Sequence, residues 1–131
     1  MSSGVKRDRV LVVDDAANLR ELLTLLLETE DDFEVIGTAC DGEQALLVAE
    51  ALQPDVVLLD LAMPVMDGMQ ALPQMRRCLP TSIIVIFSGF EQTALVEEAM
   101  AAGADAYLEK GASVTQMVDL LRDLRGRPIA G

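Results

Sequence analysis

Short apolar runs alternate with longer stretches in which apolar residues recur every three or four positions, and the alternation repeats five times. Continuous apolar runs are typical of strands buried on both faces, and the longer period is typical of amphipathic helices. Strands and helices in alternation indicate a parallel sheet covered by helices. We therefore predict an α/β fold, a doubly wound (βα)5 domain with a five-stranded parallel sheet.

The pattern also predicts where the elements lie. The run at 35–39 alternates in polarity and suits an edge strand. The expected strands are 10–13, 35–39, 55–59, 83–87 and 106–108, and the expected helices are 15–30, 43–52, 67–79, 91–102 and 113–125. Pro73 should bend the third helix because proline has no backbone N–H to donate. The side chains of the first helix expected to face the sheet are Leu19, Leu22, Leu23, Leu26 and Leu27.

The polar ends of the chain set the expected boundaries. Residues 1–8 are predicted to be a flexible N-terminal segment and 9–125 to be the domain. Residues 126–131 are predicted to be a tail or a truncated linker. A chain of 131 residues suits one domain and buries about two-thirds of the surface that its unfolded form exposes.

Composition excludes several function classes. A formal net charge of −12 argues against direct nucleic-acid binding by this chain, because such binding depends on neutralising phosphates. The absence of histidine removes serine–histidine and cysteine–histidine nucleophile pairs and the usual zinc sites. Cys40 and Cys78 have no metal-ligand spacing, and the N-terminus does not resemble a secretory signal, which favours a reducing cytoplasm. The apolar runs are too short to span a membrane.

Five polar residues lie at or just beyond the ends of four predicted strands: Asp14, Asp15, Asp60, Ser88 and Lys110. If the strands are parallel, their carboxyl ends open onto one edge, where open α/β sheets bind ligands. Taken singly, each residue has a simpler explanation, since an aspartate before a helix is a good N-cap and a loop lysine is usually solvated. Their joint occurrence predicts one site.

The chemistry of this set points to phosphate and magnesium. Three carboxylates offer the hard oxygen ligands that Mg²⁺ prefers when a phosphate completes the shell. Lys110 supplies a compact positive charge for a phosphoryl oxygen, and Ser88 supplies a neutral donor. Gly89 leaves room beside them. Asp60 ends the most central strand and is the candidate nucleophile, since aspartyl-phosphate formation needs positioning and a metal but no histidine.

The motifs resemble those of the receiver domain of two-component response regulators. The resemblance covers residues 9–125 and is specific as a set. It rests on Val12-Val13-Asp14-Asp15, on Asp60 followed by Met63-Pro64 and Met66-Asp67-Gly68, on Ser88-Gly89, and on Tyr107-Leu108-Glu109-Lys110. It implies a flavodoxin-like fold with strand order 2-1-3-4-5.

The resemblance also implies a role for each matching position. Asp60 corresponds to the phosphoacceptor and Asp15 to the direct metal ligand, with Asp14 holding metal-bound water. The backbone carbonyl of Ala62 would complete the protein's share of the Mg²⁺ shell, and Ala62 and Gly89 would lie against the phosphoryl group.

Three further positions correspond to the residues that respond to phosphorylation. Ser88 takes the place of the hydroxyl that closes on the phosphoryl group, and Lys110 that of the lysine that pairs with it. Tyr107 corresponds to the aromatic switch, and a half-buried strand aromatic is an equally good explanation of it.

One departure concerns the loop after the lysine. Most receivers have proline there, often with a cis bond, whereas this chain has Gly111, so the bond need not be cis. The segment Lys110-Gly111-Ala112-Ser113 is similar to receivers of nitrate-response and quorum-sensing regulators, which carry a helix-turn-helix output domain. No such domain is present in this sequence, which would suit a stand-alone receiver or a truncated chain.

We interpret the chain as a cytoplasmic signalling domain, not an enzyme, that accepts a phosphoryl group on Asp60 from a histidine kinase or phosphotransfer protein. Phosphorylation would change partner binding, with homodimerisation as one possibility and transcription as the regulated process. Two alternatives stay open: a Mg²⁺-dependent aspartyl-phosphate hydrolase, and a receiver-like module that binds partners without phosphorylation. The hydrolase family separates its aspartate pair by one residue, whereas Asp14 and Asp15 are contiguous.

Overall fold

The computed structural model describes residues 7–89 and 93–126. Within these ranges five strands alternate with five helices, as the hydrophobic pattern predicts. In chain order the elements are β1 Asp8–Val13, α1 Ala17–Glu28, β2 Phe33–Ala39, α2 Gly42–Leu52, β3 Val56–Leu59, α3 Gly68–Cys78, β4 Ile83–Ser88, α4 Thr93–Ala102, β5 Ala106–Glu109 and α5 Val114–Leu124.

The strands form one parallel sheet in the order β2-β1-β3-β4-β5, which confirms the predicted topology. The chain moves outward from β1 to β2 and then crosses back to β3, so the winding direction reverses between β1 and β3. In open α/β sheets ligands bind outside the carboxyl ends of the strands at such a reversal. Topology alone therefore directs attention to the residues after β1 and β3.

Each face of the sheet has its own core. On one face α1 and α5 cover the side chains of Val12, Leu58 and Val85, together with Phe33 of β2. On the other face α2, α3 and α4 cover the intervening residues of the same strands. The three inner strands are almost fully buried because both of their faces are covered, which explains why their polar residues occur only at their ends.

Local signals define the helix ends. Asp67 and Ser113 each accept a hydrogen bond from the backbone N–H three residues later. The side-chain oxygens of Gln70 and Gln116 accept from the backbone N–H of Asp67 and Ser113 in return, which completes capping boxes at α3 and α5. The α3 helix continues through Pro73. No helix of the described residues has both the length and the apolar character that a bilayer-spanning segment requires.

The first strand begins two residues earlier than the predicted strand 10–13. Asp8 was assigned to the flexible N-terminal segment, but it is the first residue of β1 and is fully buried. Its carboxylate lies 2.9 Å from the guanidinium of Arg125, beyond the last residue of α5. A buried carboxylate requires a partner, and this pair supplies one that no local pattern reveals. Residues 1–6 and 127–131 lie outside the described ranges, as do residues 90–92 at the expected start of α4.

The inward face of α1 is narrower than the leucine pattern predicted. Leu23 and Leu27 are buried, whereas Leu22 is 50% exposed and Leu25 is 66% exposed. Leu22 was assigned to the sheet side, and that assignment is wrong. A helix packed on one side of a sheet buries only the stripe in contact with it, so neighbouring leucines remain at the solvent edge.

The β2 strand is longer and less regular than predicted. It begins at Phe33, which is fully buried, and lies at the edge of the sheet as expected. Its register with β1 shifts between Val10, which pairs with Val35, and Leu11, which pairs with Gly37. The shift leaves one residue of β2 unpaired between Val35 and Gly37, and this extra residue changes which side chains of β2 face each core.

Arg76 links three segments at the opposite edge of the sheet from the predicted site. Its guanidinium donates to the backbone carbonyls of Gly103, Leu79 and Ser82 at 2.7–2.9 Å, and it forms an ion pair with Asp105 at 2.6 Å. Because it bonds to the end of α3, the start of β4 and the loop before β5, one side chain ties together elements that are distant in sequence.

Val65, in the loop between β3 and α3, has a left-handed backbone conformation with a φ of 66°. Its side chain is 78% exposed, so it gains little from burial. A branched side chain in this region is strained by about 1–3 kcal/mol, whereas asparagine tolerates it well. The loop therefore carries local strain near the end of β3.

We predict that Val65→Asn raises the free energy of unfolding by about 1 kcal/mol, because it relieves this strain and removes no buried contact. Urea denaturation of the metal-free protein would measure it. Val65→Ala is the control, since alanine retains a Cβ at positive φ and should give a smaller gain. An asparagine variant no more stable than the parent would show that the loop is not strained.

Candidate functional site

Backbone hydrogen bonds bring the predicted strand-end residues to one edge. The backbone N–H of Asp60, just after β3, donates to the carbonyl of Val13, the last residue of β1, at 3.0 Å. Likewise Lys110, just after β5, donates its backbone N–H to the carbonyl of Ser88 at 2.9 Å. The parallel register therefore places side chains from four chain segments at the carboxyl edge of the sheet.

Three carboxylates form the centre of this edge. Asp14, Asp15 and Asp60 each offer an oxygen, and the three oxygens lie within 4.8 Å of one another. Asp14 and Asp60 are 1% and 2% exposed, whereas Asp15 is exposed. The structure thus brings together the three acidic residues predicted from the sequence. Two of their side chains are shielded from solvent and the third is exposed to it.

Lys110 bridges the two buried carboxylates. Its Nζ lies 2.7 Å from Oδ2 of Asp14 and 3.3 Å from Oδ2 of Asp60. Asp14 is held further by the backbone N–H of Ala16, which donates to its Oδ1 at 2.9 Å. One ammonium therefore faces two carboxylates, and the cluster keeps an excess of negative charge.

The charge distribution alters two pKa values. Burial, and then the charge of Asp14, raise the pKa of Asp60 above its ordinary value, although Lys110 and the N–H of Ala62 act against this rise. Burial by itself would lower the pKa of Lys110, but hydrogen bonding to Asp14 and the charges of Asp60 and Asp14 outweigh it, so that pKa is raised. The lysine is thus held as a cation beside a carboxylate whose ionisation is costly.

Ala62 contacts Asp60, and Ser88 ends the strand next to the one that Asp60 follows. The side chain of Ser88 is fully buried, and its Oγ has no hydrogen-bond partner among the described residues. An unpaired buried hydroxyl is unusual and suits a site that receives a polar group. The backbone N–H of Ala62 donates to Oδ1 of Asp60 at 3.3 Å. Gly89 is exposed, and a side chain added there would meet no atom within 4 Å, so the space beside Ser88 is open.

Tyr107 lies on β5 opposite Ile86 of β4 and is half-buried against the core formed by α2, α3 and α4. This position agrees with the simpler explanation of a half-buried strand aromatic. A switch role for Tyr107 stays a prediction. The bond between Lys110 and Gly111 is not cis, in agreement with the expectation from glycine.

Two glycines hold the loop that contains Ala62, and sequence reasoning gave them no role in the site. A Cβ on Gly68 would collide with the backbone carbonyl of Asp60, and one on Gly42 would lie 2.6 Å from the carbonyl of Met66. Gly42 also donates its N–H to that carbonyl at 2.7 Å. The ends of α2 and α3 can therefore clamp the loop only because neither glycine has a side chain.

Arg20 is a second feature that the sequence analysis missed. This residue of α1 donates from Nη1 to the backbone carbonyl of Asp14 at 2.7 Å. A signal for it exists in the sequence, since a cation near the N-terminus of a helix opposes the helix dipole and calls for a specific partner.

The donor set fits Mg²⁺ in its chemistry. Oxygen ligands from carboxylates are those that Mg²⁺ prefers, and the described residues of the site include no histidine or thiol that would favour zinc. The excess negative charge left by Lys110 is of the sign that a divalent cation neutralises.

Comparison with known families assigns the chain. The family described as the response regulator receiver domain matches residues 10–122. The chain belongs to this family. It is thus a receiver domain of two-component signalling, and the predicted recognition and function class are confirmed.

Curated relatives of the receiver domain are longer proteins. The chain is 43% identical over 120 residues to the protein-glutamate methylesterase/protein-glutamine glutaminase of Caldanaerobacter subterraneus subsp. tengcongensis, covering 90% of the chain and 33% of that protein. It is 40% identical over 106 residues to the transcriptional regulatory protein YdfI of Bacillus subtilis, covering 81% of the chain and 49% of that protein. The chain therefore spans one third to one half of the length of these relatives.

Solved structures give the same result for the receiver domain. The signal receiver domain of NarL from Mycobacterium tuberculosis has a TM-score of 0.86 at 35% identity, covering 93% of this chain and 99% of that one. The CheX-CheY-BeF3-Mg+2 complex from Borrelia burgdorferi also has a TM-score of 0.86, at 25% identity, covering 92% of this chain and 90% of that one. Similarity to NarL agrees with the subclass expected from the Lys110–Ser113 segment.

We predict that Asp60→Asn stabilises the metal-free domain at neutral pH, because asparagine removes a carboxylate whose ionisation is costly in the fold. The native pKa of Asp60 is raised above its ordinary value of 3.8. At a pH between these two pKa values, the native state retains a proton that the unfolded state has lost. The free energy of unfolding of the parent therefore falls as pH rises from the ordinary pKa to the native pKa. The gain from Asp60→Asn should be full above the native pKa and shrink as pH is lowered.

Urea denaturation in a chelator, compared between about pH 7.5 and about pH 5, measures this dependence. Asp123→Asn is the control, because Asp123 is exposed on α5 and lies outside the cluster. A gain that is independent of pH would mean that the carboxyl of Asp60 ionises without penalty.

Proposed function

We propose that Asp60 is the phosphoacceptor of this receiver domain and takes a phosphoryl group from a histidine kinase or phosphotransfer protein in a Mg²⁺-dependent reaction. The observation that carries the proposal is the combination around Asp60: two further carboxylates within 4.8 Å, an ammonium at 3.3 Å and an unpaired buried hydroxyl. Phosphoryl transfer requires ligands for a metal ion, a positive charge for the phosphoryl oxygens and a hydrogen-bond donor to them. The carboxylates, the ammonium and the hydroxyl supply these three in that order.

The residues of the chain divide the work. The N–H of Ala62 engages one oxygen of Asp60 and Lys110 approaches the other, so the carboxylate is oriented before the donor arrives. An oxygen of Asp60 forms a bond to phosphorus as the phosphorus–nitrogen bond of the donor phosphohistidine breaks. The ammonium of Lys110 can then donate a hydrogen bond to one phosphoryl oxygen, and the hydroxyl of Ser88 can donate a hydrogen bond to another.

Mg²⁺, held by Asp14, Asp15, Asp60 and the carbonyl of Ala62, would neutralise negative charge on the carboxylates and the phosphoryl group. Gly89 leaves open space for that group beside Ser88. The similarity to a Borrelia burgdorferi complex that contains BeF3 and Mg+2 supports the same pair of occupants for this edge.

Phosphorylation would act as a switch through Ser88 and Tyr107. A phosphoryl group on Asp60 would draw the hydroxyl of Ser88 towards it, and the space released would admit the ring of Tyr107 on the neighbouring strand. The face formed by α4, β5 and α5 would then favour a different partner, or a second copy of the chain. The longer relatives suggest transcription as one regulated process, with nucleic-acid binding outside this chain.

The two cysteines are free thiols, which suits the reducing cytoplasm where we place the domain. We propose residues 9–125, with Asp8 added on the structural evidence, as the functional unit. Its chemistry is confined to gain and loss of its own phosphoryl group.

Incubation with acetyl phosphate and Mg²⁺, followed by intact-mass measurement, tests the acceptor. The parent and Asp123→Asn should gain one phosphoryl group, and Asp60→Asn should gain none because it lacks the nucleophile. Omission of Mg²⁺ should abolish the gain in the parent. A phosphoryl group retained by Asp60→Asn, or continuous turnover of a phosphate ester, would contradict a receiver acting through Asp60.

We predict that Mg²⁺ raises the melting temperature of the unphosphorylated domain, because a ligand that binds only the native state stabilises it. A free Mg²⁺ concentration ten times the dissociation constant should add about 1.4 kcal/mol, and sodium at matched ionic strength should do much less. Asp15→Ala should lose most of the response because it removes a direct ligand, whereas Asp123→Ala should keep it. An equal Mg²⁺ response in Asp15→Ala would exclude Asp15 from the site.

A further inference from the structure

Arg20 bonds to the peptide that joins two of the acidic residues. Its Nη1 lies 2.7 Å from the backbone carbonyl oxygen of Asp14, and that carbonyl belongs to the peptide linking Asp14 to Asp15. The arginine is half-buried in the first turns of α1. Side chains of a helix point back towards its N-terminus, so position 20 is well placed to reach the loop before the helix.

The helix and the acidic cluster act on the charge of Arg20 in opposite directions. The N-terminus of α1 has no acidic residue in its first turn, and its N-cap residue, Ala16, contributes no side-chain hydrogen bond. The helix dipole therefore opposes the charge of Arg20, whereas the excess negative charge of the nearby carboxylates attracts it. Although three carboxylates lie nearby, Arg20 forms no ion pair with any carboxylate of the described residues and bonds instead to a neutral carbonyl.

This choice of partner leaves the carboxylates available. The carboxylate of Asp14 is already held by the N–H of Ala16 and by Lys110. Asp15 is exposed, and its carboxylate has no hydrogen bond or ion pair to another described residue, so its direction depends on the backbone that carries it. A fixed Asp14–Asp15 peptide sets the directions in which both side chains leave the chain.

We propose that Arg20 is a positioning residue of the metal site: by holding the Asp14 carbonyl it presets both carboxylates and increases the affinity for Mg²⁺ without contacting the ion. The inference rests on the Mg²⁺ site of the proposed function. Residues that orient metal ligands from outside the coordination shell typically contribute tenfold or more to affinity.

Arg9, on the strand that precedes α1, provides a matched control. Its Nη1 donates to the backbone carbonyl of Gln53 at 2.9 Å, at the amino end of β1, away from the acidic residues. Arg9→Met and Arg20→Met each remove one positive charge and one arginine-to-carbonyl hydrogen bond. The two variants differ in the position of the carbonyl, because only the one bonded to Arg20 lies between two proposed metal ligands. A general effect of charge or of stability on Mg²⁺ binding should therefore appear equally in both variants.

The experiment measures the Mg²⁺ dissociation constant by calorimetry for the full chain and its variants. Arg20→Met should raise the constant about tenfold, Arg20→Lys should recover part of the loss through its own donor, and Arg9→Met should match the parent. If Arg20→Met does not fold, Arg20→Gln replaces it, since its side chain is too short to reach the carbonyl and should weaken binding to the same extent.

Two further readouts separate positioning from general destabilisation. With acetyl phosphate, Arg20→Met should need about ten times more Mg²⁺ for half-maximal phosphorylation yet approach the parent rate at saturation. In the metal-free protein, amide exchange of Ala16 should accelerate in Arg20→Met alone, because the loop that its N–H bonds to is released.

The outcomes are distinct. Equal dissociation constants in the parent and Arg20→Met, with the parent binding Mg²⁺, would overturn the role of Arg20 and leave the proposed function intact. Equal weakening in Arg9→Met and Arg20→Met would also overturn it, since the effect would then be one of general destabilisation. A parent that binds no Mg²⁺ would overturn the metal site itself and the positioning role with it.

Discussion

The constraint on which the molecule depends is the crowding of three carboxylates at one edge of a parallel sheet, with a single ammonium between the two buried ones. Two ionised carboxylates about 5 Å apart repel by roughly 3 kcal/mol at an effective dielectric constant of about 20. Lys110 offsets only part of this repulsion, and burial together with the charge of Asp14 raises the pKa of Asp60. The uncompensated charge is of the sign that a divalent cation neutralises, and the proposed Mg²⁺-dependent function rests on this property. The crowded carboxylates thus lower the stability of the native state and leave a site with an excess of negative charge.

Such a cluster persists because the surrounding fold is rigid. Two separate cores enclose the sheet, and the inner strands are buried on both faces, so the strand ends have little freedom to move apart. Gly42 and Gly68 allow the ends of two helices to close on the loop that presents Ala62 to Asp60. The strain at Val65 lies in the same loop. A site whose carboxylates could relax into solvent would lose its excess charge, and with it the affinity for a cation.

Several arginines of this acidic protein form hydrogen bonds and ion pairs within the fold and do not make up a positively charged binding surface. Arg20 and Arg76 both bond to backbone carbonyls, Arg20 at the carboxyl edge of the sheet and Arg76 at the opposite edge. Arg122 pairs with Asp32 and Glu30, and Arg125 pairs with the buried Asp8. The planar guanidinium suits such contacts because it offers several donors in fixed directions. The consequence is that much of the small positive charge of the chain is already engaged within the fold.

The sequence by itself determined the order and type of the elements, because strands buried on both faces and amphipathic helices differ in hydrophobic period. It also determined the composition of the site, since parallel strands must bring their carboxyl ends to one edge, and so Asp14, Asp60, Ser88 and Lys110 were found before any contact was known. Only the tertiary structure decided which leucines of α1 are buried, where the register of β2 shifts, and that Asp8 belongs inside. It alone revealed the hydrogen bond from Arg20 to the Asp14 carbonyl and the close approach of the two glycines to the loop that contains Ala62. These features depend on partners far apart in sequence or on approach distances of a few ångströms, and local periodicity contains no information about either.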